Sequence, residues 1–199
     1  MFDLERFVSD CCGVIQESDA KIKIAELVTK AVKSPSDLLG SIGEPTRAGI
    51  NRIYVSSHLT ILNLVWGPEM YLPPHDHRMW AVIGLYGGSE ENTFYRREDC
   101  GLRKQGVRVL EAKQVVQLGI DAVHSVKNPL LKLTGALHIY GGQFFETPRS
   151  EWDPNSLEER PFSVERTVQT FEESNRRVAS LALGDGHHFS PLSNNRPKK

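Results

Sequence analysis

The chain has 199 residues with 24 basic and 25 acidic side chains, a formal net charge of −1. That balance gives no global attraction to nucleic acid and no acidic excess of the kind that keeps a chain disordered, so specificity must reside in local groups. The length suits one domain with a sizeable core and a short helical extension.

The opening residues, Met1 to Arg6, carry acids early and lack the apolar run of a signal peptide. No stretch approaches the roughly 20 apolar residues of a membrane span. Residues 2 to 33 read as helical: Phe2, Leu4, Phe7 and Val8 form one apolar stripe, and Ile22, Ile24, Ala25, Leu27, Val28 and Ala31 a second. Ser18-Asp19 between them is expected to cap the second helix, and Ser34-Pro35-Ser36-Asp37 to end it and open a short third. Cys11, Cys12 and Cys100 are odd in number with one adjacent pair. They predict no disulfide framework but a reducing, cytoplasmic setting, with Cys11 and Cys12 as helix-face or core thiols.

After a loop over 40–49 the texture changes to short apolar and β-branched runs separated by Gly, Pro, Asp and Asn. Strands are predicted at 50–55, 59–66, 71–74, 80–86, 92–97, 106–112, 115–118, 124–126 and 132–141, with Gly87-Gly88 as a turn. Many short strands at short spacing indicate a mainly β sandwich or barrel, not a βαβ fold. Beyond Phe145 the chain is polar and interrupted by Pro148, Pro154 and Pro161. One further helix is expected over 163–182 and a loose tail over 184–199. The organisation is thus a helical extension over 1–49, a barrel over 50–147 and a C-terminal extension over 148–199, within a single domain.

The chemistry concentrates in Pro73-Pro74-His75-Asp76-His77-Arg78-Met79-Trp80. On a strand, residues two apart face one side, so His75 and His77 project together and can take adjacent positions on one metal ion, with Asp76 pointing away. The prolines suit a strand entry where no ladder donor is needed. A lone His-x-His also occurs on ordinary polar strands, so a second element is required. It comes in Gly119 to Asn128, where a turn leads into a strand beginning at His124.

These two stretches in order, Gly67 to Gly88 with His75 and His77 and then Gly119 to Asn128 with His124, resemble the paired motifs of the cupin superfamily. The resemblance spans roughly residues 50 to 145 and implies a double-stranded β-helix (jelly-roll) barrel with a metal on His75, His77 and His124. Many cupins place a glutamate four or five residues after the second histidine, where this chain has Ala81 and Val82. A site of three histidines resembles the thiol dioxygenases of the cysteine dioxygenase type. Asn63-Leu64-Val65-Trp66-Gly67 and Leu137-His138-Ile139-Tyr140 add to that likeness. It departs at Ala136, where a serine is common, and in lacking the cysteine that some members crosslink to the tyrosine. The chain looks closest to a metal-dependent branch of double-stranded β-helix enzymes bearing the Pro73–Trp80 signature.

The resemblance implies a mononuclear non-haem Fe(II) dioxygenase that adds O₂ to a small molecule, a thiol related to cysteine or 3-mercaptopropionate. Zinc, nickel and manganese suit the same donors, and iron enters through the resemblance alone. Three neutral imidazoles leave the charge of a divalent ion uncompensated, favouring an anionic ligand such as a thiolate. Tyr140 would hydrogen-bond or donate a proton at the centre, His138 would orient it, and Arg52 would pair with a substrate carboxylate, in competition with Arg47, Arg78, Arg96 and Arg97. The alternatives are a metal-binding cupin acting as a small-ligand or sensor module, and an isomerase or hydrolase on the same scaffold. Expected partners are a small-molecule substrate and O₂, with no nucleic acid and no membrane, in a monomer or homodimer. Trp66 and Trp80 read as core packing, and His58 as a turn residue. His187-His188 reads as solvated tail, and Glu90-Glu91 and Glu172-Glu173 as exposed turn and helix faces.

Overall fold

The computed structural model describes residues 1–99 and 101–185, so Cys100, His187, His188 and most of the expected tail lie outside the described residues. Three helices come first: α1 (Leu4–Val14), α2 (Ala20–Lys33) and α3 (Pro35–Ile42). Asp3 caps α1 by accepting from the Arg6 N–H at 3.0 Å. Asp19 stands at the N-cap of α2 but makes no capping bond, contrary to expectation. Its carboxylate instead lies 3.2 Å from Lys23 Nζ, one turn on. Pro35 opens α3, where a missing N–H costs nothing.

Eleven strands follow among the described residues: β1 (Gly49–Val55), β2 (Thr60–Trp66), β3 (Tyr71–Asp76), β4 (Ala81–Gly87), β5 (Ser89–Glu98), β6 (Gly101–Glu111), β7 (Val115–Leu118), β8 (Val123–Lys127), β9 (Thr134–Tyr140), β10 (Ser150–Trp152) and β11 (Glu159–Pro161). The last element, α4, spans Val164–Asp185. The strands form two antiparallel sheets, one in the order β1-β2-β9-β4-β7 and the other in the order β11-β10-β3-β8-β5-β6. This is a double-stranded β-helix, the cupin barrel, with helices at both ends of the chain. Gly88, at φ 81°, turns the chain from β4 in one sheet to β5 in the other.

Strands β2, β4 and β9 are buried on both faces, which is why they read as unbroken apolar runs. Their inner residues, Leu62, Leu64, Ile83, Leu85 and Ala136 among them, fill the barrel with Leu72 and Val126 from the facing sheet. Their outer residues, including Ile61, Val82, Leu137 and Ile139, pack on Phe7, Ile24, Val28 and Leu38 of the N-terminal helices. Gly84 lets α2 approach, since a Cβ there would lie 2.3 Å from Val28 Cγ1. Cys11 is buried in this layer, and burial pushes its thiol up to about 12, the behaviour of an inert core residue.

The C-terminal segment does more than the single expected helix. Strand β10 extends the second sheet by pairing Glu151 with His75, and α4 returns to the barrel. Phe171 stacks on Trp66 at 5.4 Å, and the Asn175 amide bonds both backbone groups of Ala48, at 2.8 and 3.0 Å. Trp66 is core packing, as its sequence context suggests.

Candidate metal centre

Strand β3 carries Pro73 and Pro74, and the ladder with β8 slips there: Leu72 pairs with Val126, but His75 pairs with His124. Three steps along β3 match two along β8, so one extra residue is accommodated as a bulge. Because side chains alternate, that residue brings His75 onto the barrel face that His124 occupies. His77 follows just beyond the strand. Arg78 then adopts a positive φ of 54°, and its Nε lies 2.8 Å from Asp76 Oδ2, which holds this costly turn. Asp76 also takes Arg97 and the Ser150 N–H (2.8 Å), so its carboxylate is committed away from the histidines.

The three imidazoles converge. Ring centroids are 4.7 Å apart for His75 and His124, and 5.1 Å for His77 with each of the others. One ring nitrogen from each lies within 4.8 Å of the other two, and all three side chains are buried. Burial pushes His75 down to about 4 and holds His77 and His124 well below the usual imidazole range, so all are neutral at physiological pH.

Their tautomers follow from their partners. His75 Nδ1 donates to the Pro73 carbonyl at 2.9 Å, an oxygen that can only accept. His124 Nδ1 donates to Asn92 Oδ1 at 2.7 Å, the amide being fixed because its Nδ2 donates to Glu90 Oε1 at 2.9 Å. Both Nε2 atoms are thereby left as acceptors. His77 Nδ1 has no partner among the described residues. The Nε2 atoms of His77 and His124 are 3.5 Å apart. Nitrogens bound at about 2.0–2.1 Å to one ion are separated by roughly 3.0–3.4 Å; the His77–His124 pair is slightly wider than that and the full set wider still, so three converging neutral imidazoles suit a divalent cation once the rings draw in.

Ala81, in the region where many cupins carry a glutamate, pairs across the ladder with Tyr140. The Tyr140 ring meets His77 edge-on at 5.0 Å, and its hydroxyl lies 3.1 Å from His138 Nδ1. Burial raises the phenol above its ordinary value and pushes His138 down to about 3, so both are uncharged. Arg52 stands exposed on edge strand β1, its guanidinium 3.9 Å above the Phe145 ring. It is thus one aromatic layer out from Phe144, which lies 4.3 Å from Tyr140. Asn128, at the end of the second motif, serves as a clamp: its amide donates to Gly67 O and Lys132 O, both at 2.8 Å.

One expectation is overturned. Glu90 is not on an exposed turn but wholly buried, at 0 % exposure, because β5 begins at Ser89 and aims Glu90, Asn92 and Phe94 at one face. Phe94 pairs with His124 and stacks on it at 6.0 Å. Glu90 Oε2 lies 3.9 Å from His138 Nε2, and neither atom has a hydrogen-bond partner among the described residues. Burial pushes the Glu90 carboxyl up to about 7 against the opposing bond from Asn92, with the Trp66 indole close by but short of a completed bond. The period-two spacing of Glu90, Asn92 and Phe94 is the sequence signal that would have revealed this row. Arg149, 7 % exposed, is a second residue that sequence reasoning missed. Its guanidinium lies 4.0 Å from the Phe144 ring and 3.9 Å from the Phe162 ring.

No family model matches the chain. Among solved structures, it is similar to an RmlC-like cupin family protein with a double-stranded β-helix fold from Methanocaldococcus jannaschii. The identity is 12 %, over 51 % of this chain and 85 % of that one, with a TM-score of 0.43. A cupin superfamily protein from Desulfitobacterium hafniense matches at 12 % over 51 % and 83 %, with a TM-score of 0.40. The Cnp3 cupin domain of Schizosaccharomyces pombe matches at 9 % over 53 % and 67 %, with a TM-score of 0.43. The assignment of the barrel rests on the strand order described above.

Proposed function

We propose that the chain is a mononuclear non-haem iron(II) dioxygenase acting on a small molecule, with thiols related to cysteine or 3-mercaptopropionate as the substrate class. The observation that carries this reading is the buried Tyr140–His138 pair set against His77, beside three donors that are all neutral. An iron(II) ion on His75, His77 and His124 would supply a Lewis-acidic centre with uncompensated charge, suited to a thiolate and O₂.

The protein's own contribution is proton management in a buried site. For Tyr140 to offer its O–H to a reacting molecule, its oxygen must accept from His138 Nδ1–H. His138 is then left with Nε2 as an acceptor, on the side of Glu90 Oε2. A Glu90 carboxyl that keeps its proton up to about pH 7 is the donor this polarity needs. Asn92 ties the same carboxyl to His124, so ligand orientation and the proton of Tyr140 share one anchor.

Tyr140→Phe is expected to retain metal at the wild-type level while slowing turnover by roughly a hundredfold, the scale of a lost proton donor. Equal turnover would remove the role assigned to the hydroxyl. The reading as a whole is tested by metal analysis of the purified protein, followed by O₂ consumption of the Fe(II) form with a panel of small thiols. Iron near one per chain with thiol-dependent uptake supports it. Bound metal with no uptake on any thiol sinks it in favour of a ligand-binding module.

A further inference from the structure

The three ligand rings are closed off from solvent: His75, His77 and His124 are 5 %, 2 % and 1 % exposed. A molecule that reaches them must displace something. On the barrel side the cover is Phe94, stacked on His124, and Tyr140, edge-on to His77, and both are held in the ladders of β5 and β9. On the other side it is Phe144, 6.2 Å from the His77 ring, and Phe162, 6.2 Å from the His75 ring. Neither of these belongs to a strand.

Arg149 is the plug between these two rings. Its guanidinium carbon lies 4.0 Å from the Phe144 centroid and 3.9 Å from the Phe162 centroid, ordinary contact with each. Its departure would leave a gap one flat group thick, bordered by the rings that cover His77 and His75. Phe162 is only partly buried, so the stack runs from the centre toward the surface. The polar atoms hold the plug loosely. Nη1 donates to the Phe144 carbonyl, whereas Nε and Nη2 are buried and have no partner among the described residues. Swinging into solvent would hydrate both, which offsets part of the cost of leaving two aromatic faces.

We propose that Arg149 is the gate of the three-histidine centre: its guanidinium closes the slot between Phe144 and Phe162, and swings out to admit molecules slender or flat enough to pass between the two rings. Access, and with it selection by cross-section, is then controlled by a side chain that precedes β10, outside the ligand strands. This rests on the reading of His75, His77 and His124 as the ligand-receiving centre, but not on the reaction performed there.

The test is the rate at which neutral ligands reach cobalt(II) in the loaded full-length protein, read from the cobalt absorption bands after rapid mixing under nitrogen. The probes are imidazole and its globular 1-tert-butyl derivative in mildly alkaline buffer, where both are largely uncharged and the charge of Arg149 does not draw them in. The wild type should admit imidazole faster than the derivative by about tenfold or more. Arg149→Ala should speed both probes and bring their rates together. Arg149→Lys keeps the charge without filling the gap, so it should speed entry as well. Should Arg149→Ala fail to fold, the lysine variant and the wild-type ratio decide. Unchanged rates in the variants, or equal entry of the two probes into the wild type, overturn the proposal, and so does a protein that takes up no cobalt. Faster entry in the variants of a protein whose iron form consumes no O₂ with any thiol supports the gate and sinks the dioxygenase. Thiol-dependent O₂ uptake with unchanged entry rates sinks the gate alone.

Discussion

Replacing His124 by alanine is expected to leave the protein unable to retain metal through dialysis against a mild chelator. His124 faces both other ligands, opposite His75 on the neighbouring strand and 3.5 Å from His77 between their Nε2 atoms. Without it two donors remain, and His77 has no hydrogen bond fixing its Nδ1 side among the described residues. Losing a residue that merely orients a ligand costs roughly 10–100-fold in affinity, so loss of the ligand itself should exceed about a hundredfold. Asn92→Ala should fall within that smaller range, since it frees the His124 ring without removing it. Elemental analysis after dialysis reads both. Metal retained at one per chain in the alanine variant would mean the three histidines are not the centre.

The second large effect is on stability. The Glu90 carboxyl is pushed up to about 7 in the folded protein, against about 4.3 in an unfolded chain. Between those values the folded state holds a proton that the unfolded state has released, so stability falls as pH rises through this window. The loss is complete above the folded value and amounts to just under about 4 kcal/mol in full, of which about 2–3 falls between pH 5 and pH 8. Glu90→Gln keeps the shape and an acceptor for Asn92 but cannot ionise. In the chelator-treated protein the variant should therefore match the wild type near pH 5. It should exceed it near pH 8 by about 2–3 kcal/mol, or several degrees of melting temperature. The buried histidines act the other way: being pushed down, they make the fold less stable as pH falls from about 6.5. That effect is common to both proteins and cancels in the difference. A melting difference that does not change between pH 5 and pH 8 would show that Glu90 does not carry its proton in the fold.

The barrel and its N-terminal helices were legible because their signals are periodic. Val28 and Ile24 fall on one helical face, and β2, β4 and β9 are apolar throughout because both faces are covered. The ligand histidines were legible as a spacing on a strand plus a second motif. What escaped is where burial and sequence character part company. The sequence places a strand only at 106–112 where β6 runs Gly101–Glu111, because its first half is polar and the strand is largely exposed, which removes the apolar alternation that marks a strand. Glu90 looked like surface because two adjacent acids usually are, yet alternation separates it from the less buried Glu91. Strands β10 and β11 are three residues each, too short to show a period, and Arg149 beside them acquires meaning only from rings brought to it by folding.

The pairing of Glu151 with His75 also has a consequence for how the protein is made. During synthesis the chain emerges from its N-terminus, so all three histidines are available well before residues 150–152. The ligand strand nevertheless has one flank open until β10 arrives to close it, and β10 is held by Glu151 through Arg160, at 2.8 Å, and Arg166, at 2.6 Å, from still later in the chain. A ribosome-bound chain that has not yet released α4 would therefore hold the histidines on a strand with one flank still open and with Asp76 lacking the Ser150 N–H.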